Sequence, residues 1–300
     1  MRLTKMNLVL TAVMSMSAPW IATPMASAAA PDTADVADDT ARTDDQVAAN
    51  TAAITFYIDQ LFNKHDISVI DTYIAEDLIQ HTPTLADGRE PLKAAFQQQL
   101  NNPQLATTVY RVVAQGDLVQ IHRSLPSGFG VTDIFRVSGG VFVEHWDAVE
   151  AIPATTVSGN DMFSTLSGPD SPGSSKLTKV NERLVSDYFT RLNKEHDLRA
   201  VDRFVSSSLD QHDPTLANGS AAVKAAYAAR FAANPNEIVS ESMVIAEGDL
   251  VSVRYHYQTS ATDRGQAIAE IFRVQRGQIV EHWNLVQNVP ATSANNNTMF

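Results

Sequence analysis

Acids, histidines and aromatic residues recur together in two short pairs of segments of this chain. Residues 133–137 read Asp-Ile-Phe-Arg-Val and residues 144–147 read Glu-His-Trp-Asp. Residues 270–274 read Glu-Ile-Phe-Arg-Val and residues 281–284 read Glu-His-Trp-Asn. A carboxyl group beside aromatic rings has a raised pKa, because loss of water disfavours its charged form. Such a group can transfer protons near neutral pH, so both pairs are candidates for proton chemistry.

A tight turn between the segments of each pair indicates a β-hairpin and predicts which side chains share a face. The turn residues are Gly139-Gly140 and Arg276-Gly277. With a two-residue loop, Phe135 lies opposite Glu144, and Asp133 lies opposite Trp146. Since side chains alternate along a strand, these four are expected on one face. The equivalent residues of the second pair are Phe272, Glu281, Glu270 and Trp283.

This shared face is a candidate lining for a small-molecule pocket, because it combines apolar groups with a few acids. Asp133 and Glu270 are its candidate acid–base groups. Glu144 and Glu281 have an alternative role, which is to pair with an arginine or to face solvent. The opposite face is expected to carry residues such as Arg136, His145, Arg273 and His282. A shift of one residue in the strand pairing would exchange the two faces.

The two pairs belong to two copies of one domain. Both segments recur after the same number of residues, and Pro83-Thr84-Leu85-Ala86 recurs as residues 214–217. A repeat of this length indicates two domains of one fold. A stretch rich in Ser, Gly and Pro separates them, as a linker does. The predicted organisation is a first domain at residues 51–163, a linker at residues 164–178 and a second domain at residues 179–300.

The first 50 residues are expected to hold a secretion signal and a tether. Arg2 and Lys5 precede an apolar stretch that ends at Ala26-Ser27-Ala28, which is typical of a signal peptidase site. We therefore expect residues 1–28 to be a signal peptide and the mature protein to be periplasmic or secreted. The alternative is an uncleaved anchor, for which the stretch is short. Residues 29–50 have many Asp and few large apolar residues, which predicts an acidic, disordered tether.

Composition excludes several classes of function. The chain has 300 residues, no cysteine and a net charge of −12. Without cysteine, disulfides and thiolate metal sites are excluded. Nucleic acids and anionic membranes are poor partners for a chain this acidic, because they carry negative charge themselves. No cofactor or metal is expected, since His81, His122 and His145 lack the fixed short spacing of a metal site.

Hydrophobic spacing predicts three helices and then a run of strands in each half. Apolar side chains at residues 54–62 have the spacing of one helix face. A second helix is expected after Asp66 and a third before Asn102, because Asp caps helices and the residue before proline disfavours them. Strands are predicted around residues 108–114, 118–122, 131–137 and 141–149. This order predicts an α+β fold with an antiparallel sheet in each domain.

Four motifs together resemble SnoaL-like proteins, which are polyketide-cyclase-like members of the nuclear transport factor two and ketosteroid isomerase superfamily. They are residues 79–83, 116–119, 133–137 and 144–147. The resemblance covers about residues 51–153 and 182–290. It implies two cone-shaped domains, each a curved antiparallel sheet wrapped over about three helices. It also implies pairing through the outer faces of the sheets, here as an intramolecular pseudo-dimer.

The resemblance further implies roles for single histidines and acids. His81 and His212 lie in the segment that carries the base of ketosteroid-isomerase-like enzymes, and the alternative is that they hydrogen-bond the following turn. Asp133 matches the acid of the family's late strand, as does Glu270. The family's histidines on an earlier strand correspond to His122 and His256, and His145 and His282 are expected at a contact between domains.

Two functions stay open on this reading. The first is a protein that binds a small, largely apolar molecule in the cone pocket, without catalysis. The alternative is a cofactor-free cyclase or isomerase that moves a proton next to a carbonyl group. Its candidate catalytic residues are Asp133, Glu270, His81 and His212. For both functions the candidate substrate-binding residues are Trp146, Trp283, Phe135, Phe272, Glu144, Glu281, His122 and His256.

Overall fold

The computed structural model describes residues 33–99, 101–171 and 173–300. The expected signal peptide, residues 1–28, lies outside these residues. In the first domain the helices are α1 (Thr33–Ile58), α2 (Ser68–Tyr73) and α3 (Arg89–Gln97). Its strands are β1 (Ile74–Gln80), β2 (Thr108–Gln115), β3 (Leu118–Leu125), β4 (Phe129–Ser138) and β5 (Val141–Ala151).

The second domain repeats this order. Its helices are α4 (Ser175–Phe189), α5 (Arg199–Phe204) and α6 (Ser220–Ala233). Its strands are β6 (Val205–Gln211), β7 (Ile238–Glu247), β8 (Leu250–Gln258), β9 (Gln266–Gln275) and β10 (Gln278–Asn288). Helices precede the main run of strands in both halves, and each domain has the α+β cone architecture that the sequence predicted.

Each sheet contains one strand that the sequence did not predict. The strand order is β1-β5-β4-β3-β2 in the first domain and β6-β10-β9-β8-β7 in the second. The edge strands β1 and β6 pair in parallel with β5 and β10, so each otherwise antiparallel sheet has one parallel edge strand. The helical spacing of Ile67, Ile70 and Ile74 predicts that Ile74 lies in the second helix. Ile74 begins the strand instead, in extended backbone directly after Tyr73.

The predicted two-residue turns are present, and both have the backbone that such hairpins need. Gly139 and Gly140 have φ of 58° and 83°, and Arg276 and Gly277 have φ of 52° and 77°. Positive φ at both central residues matches the right-handed twist of the strands on either side. Ser138 pairs with Val141 beside the first turn, as predicted.

The predicted register holds for the first two pairs beyond this turn and fails at the third, because each hairpin contains a β-bulge. Val137 pairs with Phe142, but the next pair is Arg136 with Glu144, so Val143 is the extra residue. A bulge places two residues opposite one and shifts all later pairs. Asp133 therefore lies opposite Asp147 and not opposite Trp146. The second hairpin has the same shift, at Val280.

The bulge exchanges the predicted faces of the final strand in each domain. Phe135 pairs with His145 on the face that covers the helices, whereas Glu144 and Trp146 lie on the outer face. The expectation that Glu144, Trp146, Glu281 and Trp283 share the pocket face is therefore wrong. The placement of His145 and His282 on the outer face is wrong for the same reason.

The domains have separate cores, and a third apolar cluster lies between them. Helices and the inner sheet face form one core in each half. Seven buried residues from the outer faces of both sheets form the third cluster: Val113, Ile134, Trp146, Ile245, Leu250, Ile271 and Trp283. Backbone amides of Ala114 and Ala246 also donate across the contact, to Glu247 and Gln115 respectively.

Residues 33–50 form the first part of α1, which contradicts the expectation of a disordered tether. Alanine in this stretch favours a helix. The end of the stretch also packs on the first domain, since Val47 contacts its core and Asn50 is buried. The Asn50 side chain donates to the Gly116 carbonyl at 3.0 Å, which attaches this part of the helix to the β2–β3 turn.

The linker lies along the outer face of the second domain. The Leu166 amide donates to Glu281 Oε1 at 2.6 Å, and the Ser171 amide donates to Asp249 Oδ1 at 2.9 Å. These bonds satisfy backbone donors that a free linker would leave to water. Among the helices of the described residues, none has the length and apolar character needed to cross a membrane.

Candidate functional site

The first domain encloses a cavity of about 290 Å³ between its helices and the inner face of its sheet. Apolar side chains of the helices form most of the wall, including Phe62, Leu92 and Phe96. At the sheet side, Arg123, Asp133, Phe135, His145 and Asp147 face the cavity. An apolar wall with a small polar group of this kind is typical of small-molecule sites.

A salt bridge fixes the acid of this first pocket in its charged form. Arg123 donates to Asp133 through Nε at 2.6 Å and through Nη2 at 3.2 Å. Burial acts to raise the pKa of Asp133, but Arg123 and the nearby His145 hold that pKa below its usual range. Asp133 is therefore a charged anchor at neutral pH and is poorly suited to accept a proton.

His145 is positioned by partners on both ring nitrogens. Nδ1 lies 2.9 Å from Gln80 Oε1, and Nε2 lies 3.2 Å from Asp133 Oδ1. The Thr82 amide donates to the same Gln80 oxygen, which fixes the orientation of the amide. Asp147 lies beside this group, and burial raises its pKa. Asp147 Oδ1 is buried without a hydrogen-bond partner in the described part of the chain, and the Thr82 side chain, which acts to lower the pKa of Asp147, lies beside the carboxyl group.

The second domain has a cavity of about 300 Å³ at the equivalent place, with a more polar lining. Tyr227, Tyr255 and Tyr257 form part of the wall, together with the guanidinium of Arg230. Arg230 lies 4.3 Å from the ring centre of Tyr227 and donates to Glu237 at 2.9 Å. Aromatic faces and an acid thus hold this cation in place.

Glu270 is the acid of this second pocket, and it differs from Asp133 in protonation. Burial raises the pKa of Glu270 to about 7, although Arg230 lies nearby and Tyr255 donates to its Oε1 at 3.2 Å. Oε2 is buried and has no hydrogen-bond partner within the described residues. Glu270 can therefore gain or lose a proton near neutral pH, at an oxygen that is free to meet a ligand.

His282 lies next to Glu270 and is neutral. Burial, with a smaller contribution from His212, lowers the pKa of His282 to about 3. Its Nδ1 lies 2.8 Å from Gln211 Oε1, an oxygen that also accepts from the Asp213 amide. The proton is therefore assigned to Nδ1. Nε2 lies 3.7 Å from Glu270 Oε1 and is buried with an unfilled hydrogen bond.

Residue differences at equivalent positions distinguish the linings of the two pockets. The equivalents of Arg123 and Asp133 are Tyr255 and Glu270, so a charged pair is replaced by a hydroxyl and a longer acid. A second exchange replaces Asp147 by Asn284, whose amide donates to Asp213 at 2.8 Å. The sequence contained this signal, because arginine accompanies aspartate in one copy and tyrosine accompanies glutamate in the other.

His81 does not face the cone pocket. It stacks on Trp146 at 4.7 Å between ring centres, and its Nε2 lies 2.9 Å from Glu144 Oε1. Glu144 also accepts from Arg136 at 2.9 Å, and the Thr298 carbonyl lies against His81 Nδ1. His81, Glu144 and Trp146 therefore form one cluster on the outer face, because the bulge turns Glu144 and Trp146 away from the cavity.

His212 occupies the equivalent outer cluster of the second domain. It stacks on Trp283 at 5.2 Å between ring centres, and its Nε2 lies 3.0 Å from Glu281 Oε1. Glu281 accepts from Arg273 at 3.1 Å, while the Asp161 carbonyl faces His212 Nδ1. The sequence prediction that His81 and His212 share a pocket with Asp133 and Glu270 is therefore wrong.

The two histidines predicted on the earlier strand also lie outside the pocket linings. His122 is buried with Nδ1 2.6 Å from Arg111 Nη1, and its ring contacts Phe163. His256 stacks on Phe300 and lies 2.8 Å from the Arg264 carbonyl. Of the other predicted lining residues, Phe135 faces the first cavity and Phe272 belongs to the second core. Within the described residues, no three histidine or acidic side chains are placed to hold a metal ion.

This combination of cone-shaped domains and buried acids on the inner sheet face defines a class of protein. The SnoaL-like domain family matches the chain twice, over residues 54–145 and 185–282. The chain therefore belongs to the SnoaL-like family and carries two copies of its domain, which confirms the resemblance seen in the sequence.

Several solved structures of NTF2-like and SnoaL-like proteins are similar to part of this chain. An NTF2-like protein of unknown function from Mesorhizobium loti is 20% identical, with a TM-score of 0.33, and the match covers 40% of this chain and 98% of that one. A SnoaL-like protein of unknown function from Burkholderia thailandensis is 15% identical, with a TM-score of 0.32, and the match covers 37% and 98%. No curated protein matches this chain.

Proposed function

We propose that this protein binds a small, largely apolar molecule with one polar group in the pocket of its first domain. The observation that carries the proposal is the apolar cavity whose sheet side holds Asp147 with an unpaired, buried oxygen. Such an atom loses a hydrogen bond on burial, and a ligand hydroxyl or carbonyl would restore it. The protonated acid would donate to a carbonyl oxygen, and the carboxylate would accept from a hydroxyl group.

A matched pair of cavity-filling variants tests this proposal. Ala95 of α3 faces the first cavity, and its equivalent Ala226 of α6 faces the second. The fluorescent probe 1-anilinonaphthalene-8-sulfonate is titrated into the protein and then displaced by a panel of small cyclic ketones. Ala95→Trp is expected to weaken probe binding at least about tenfold, whereas Ala226→Trp leaves it unchanged. Equal probe affinity in wild type and Ala95→Trp would exclude this pocket.

Proton transfer next to a carbonyl group is the second candidate, and Glu270 favours it. Its carboxyl has a pKa of about 7 and an unpaired oxygen in the second cavity. The proposed step moves a proton from the carbon beside the ketone to Glu270 and returns it from there, and a cyclase or isomerase would use the same step. Asp133 is less suited to this role because Arg123 lowers its pKa.

Hydrogen–deuterium exchange into the ketone probes tests the second candidate without an identified substrate. In D₂O, NMR would follow the loss of the protons next to the carbonyl group. Exchange above the buffer rate is expected for wild type and for Asp133→Asn, and only background for Glu270→Gln. The same exchange rate in wild type and Glu270→Gln would contradict a catalytic role for this acid.

We also propose that the protein is exported to the periplasm or secreted after cleavage behind Ala28. The basic start and the small residues at Ala26 and Ala28 support this proposal. Mass spectrometry of the mature protein from a host with a secretion system would give the cleavage site. An N-terminus at Met1 in the exported fraction would contradict it.

A further inference from the structure

The end of each domain lies on the other domain. We call residues 156–163 the first tail and residues 293–300 the second tail. The second tail runs along residues 82–88 of the first domain, which we call the first wall loop. The first tail runs along residues 213–219 of the second domain, the second wall loop. The two halves thus exchange their tails.

Asn295 attaches the second tail to the first wall loop. Its side-chain amide donates to the carbonyls of Thr82 and Leu85, both at 2.8 Å. The neighbouring Ala294 amide donates to the Pro83 carbonyl, also at 2.8 Å. One side chain therefore bridges the two ends of a short turn, which keeps the turn closed.

Asn297 holds the base of the same loop. Its side-chain amide donates to the Gln80 carbonyl at 2.9 Å and to Asp87 Oδ1 at 2.7 Å. Asp87 Oδ1 also accepts from the Gln80 amide at 2.8 Å. The loop is thus connected to strand β1 through a residue of the other domain.

The first tail holds the second wall loop in the same way, but with fewer bonds. The Val157 amide donates to the Pro214 carbonyl at 3.0 Å. Asn160 donates to the Gln211 carbonyl at 3.1 Å and to Asn218 Oδ1 at 3.0 Å. The equivalent of Asn295 is Ser158, whose hydroxyl accepts from the Asn160 amide and whose side chain is too short for the bridge.

Both wall loops form part of a cavity. The first cavity is lined by Thr82, Thr84 and Leu85, and the second by Asp213, Thr215 and Leu216. Loops carry few buried apolar contacts of their own, so their local stability depends on the bonds made to their backbone. A tail that holds such a loop therefore sets the shape of the adjoining cavity.

We propose that each tail positions the pocket wall of the opposite domain. Asn295 and Asn297 are the positioning residues for the first pocket, and Asn160 is the positioning residue for the second. The first pocket is the more firmly held of the two, because Asn295 adds two bonds that Ser158 lacks.

Amide hydrogen exchange of the full chain, followed by mass spectrometry, tests this positioning role of the tails. In Asn295→Ala, exchange over residues 82–88 is expected to rise about tenfold, with no change over residues 213–219. In Asn160→Ala the effect reverses: residues 213–219 exchange faster and residues 82–88 are unchanged. Thermal unfolding of each variant separates a local effect from loss of the fold.

A gain-of-bond variant makes the test independent of loss of stability. Ser158→Asn gives the first tail the residue found in the second, and its side-chain oxygen can still accept from the Asn160 amide. It is expected to slow exchange over residues 213–219. Unchanged exchange in that segment, or equal changes in both wall loops for every variant, would overturn the proposal.

The effect on ligand binding is a separate measurement. With the fluorescent probe, Asn295→Ala is expected to weaken binding in the first pocket, while Asn160→Ala leaves it unchanged. The probe-binding measurement rests on the proposed function, whereas the hydrogen-exchange measurement needs no ligand. A protein that binds no probe but shows the predicted exchange pattern would therefore refute the proposed function and support the positioning of the wall loops by the tails.

Discussion

Asp133 and Glu270 occupy equivalent positions on β4 and β9, yet their surroundings shift the two pKa values in opposite directions. Arg123 donates two hydrogen bonds to Asp133 and keeps it charged. The uncharged Tyr255 hydroxyl donates one hydrogen bond to Glu270, and burial is the main influence on the pKa of Glu270. Charge compensation decides the difference, because a buried carboxylate without a paired cation becomes neutral instead.

Breaking the Arg123–Asp133 pair is expected to destabilise the first domain. Asp133→Asn leaves a buried guanidinium unpaired, at a cost of about 3 kcal/mol at pH 7. The pKa of Asp133 is lowered in the folded state, so its contribution is present above the unfolded pKa and disappears as the pH falls. Urea unfolding at pH 7 and at successively lower pH values below 4 should show a difference from wild type that is largest at pH 7 and shrinks as the pH falls.

A transplanted pair provides the control for this prediction. Arg123→Tyr with Asp133→Glu reproduces the residues of the second domain. The double variant is expected to be more stable at pH 7 than Asp133→Asn, because no cation is left unpaired. If Asp133→Asn is as stable as wild type at pH 7, the salt bridge contributes nothing to folding.

The contribution of Glu270 to stability is expected to have the opposite dependence on pH. Its pKa is raised to about 7 in the folded state, so wild type loses stability as the pH rises from the unfolded value through pH 7. Glu270→Gln carries no charge to bury and is expected to be the more stable protein at pH 8, by up to about 3 kcal/mol. Thermal unfolding at pH 4 and pH 8 checks this, and a constant difference would contradict it.

At the scale of elements, the bulge in each final hairpin decides which chemistry reaches the pocket. Without Val143 as an extra residue, Trp146 and Glu144 would face the cavity, and His145 would face the other domain. With Val143 as the extra residue, the motif at residues 144–147 contributes side chains to both faces of the sheet. Its histidine joins the pocket, while its glutamate and tryptophan build the outer cluster.

The strands β5 and β10 meet through two equivalent contacts with different residues. Glu150 accepts from the Val286 amide at 2.8 Å, and Gln287 accepts from the Val149 amide at 2.9 Å. Burial raises the pKa of Glu150 to about 7, since this contact holds the carboxyl away from water. Glutamine makes the same bond without a charge.

Glu150→Gln is therefore expected to stabilise the protein at pH 8 and to leave it unchanged near pH 4. The pKa of Glu150 is raised on folding, so its charge opposes folding as the pH rises through 7. The change should be on the order of 1 kcal/mol, measured by chemical unfolding. Gln287→Glu is the matched control, and it should lower stability at pH 8.

At the scale of the whole molecule, the halves form one body around the apolar cluster of their outer sheet faces. Trp283 lies at its centre, where Arg111 stacks 3.7 Å from the ring centre and the Ser164 carbonyl accepts from its indole nitrogen. Trp146 occupies the equivalent place in the first domain. Exchanged tails and the linker add polar bonds around this cluster.

We predict that this pairing of the halves persists in solution. Small-angle X-ray scattering of the mature chain should give a radius of gyration of about 18 Å, the value for a compact chain of this length. The double variant Trp146→Ala, Trp283→Ala removes two large apolar side chains from the contact. It is expected to increase the radius of gyration. Two separated lobes in the wild-type scattering would contradict the prediction.

Much of the architecture could be predicted because it depends on local patterns. The α+β order and the two-residue turns follow from spacing within a few residues of the chain, and the repeat follows from the recurrence of the same short motifs in the two halves. Strand β1 was missed because Ile70 and Ile74 continue the helical spacing of α2, while its pairing with β5 depends on residues far along the chain. Arg123 was missed as a site residue because its partner Asp133 lies on another strand.

The sequence by itself determined the family, the two domains and the inequality of their acid positions, because these are properties of residue type and order. Only the tertiary structure decided which residues of each hairpin face the pocket, since a bulge adds one residue without a local signature. Only the tertiary structure showed that Asp133 is charged at neutral pH whereas Glu270 has a pKa of about 7, because a pKa depends on burial and on partners from other strands. The exchanged tails also required the tertiary structure, since the second tail contacts residues more than 200 positions away and the first tail contacts residues more than 50 positions away.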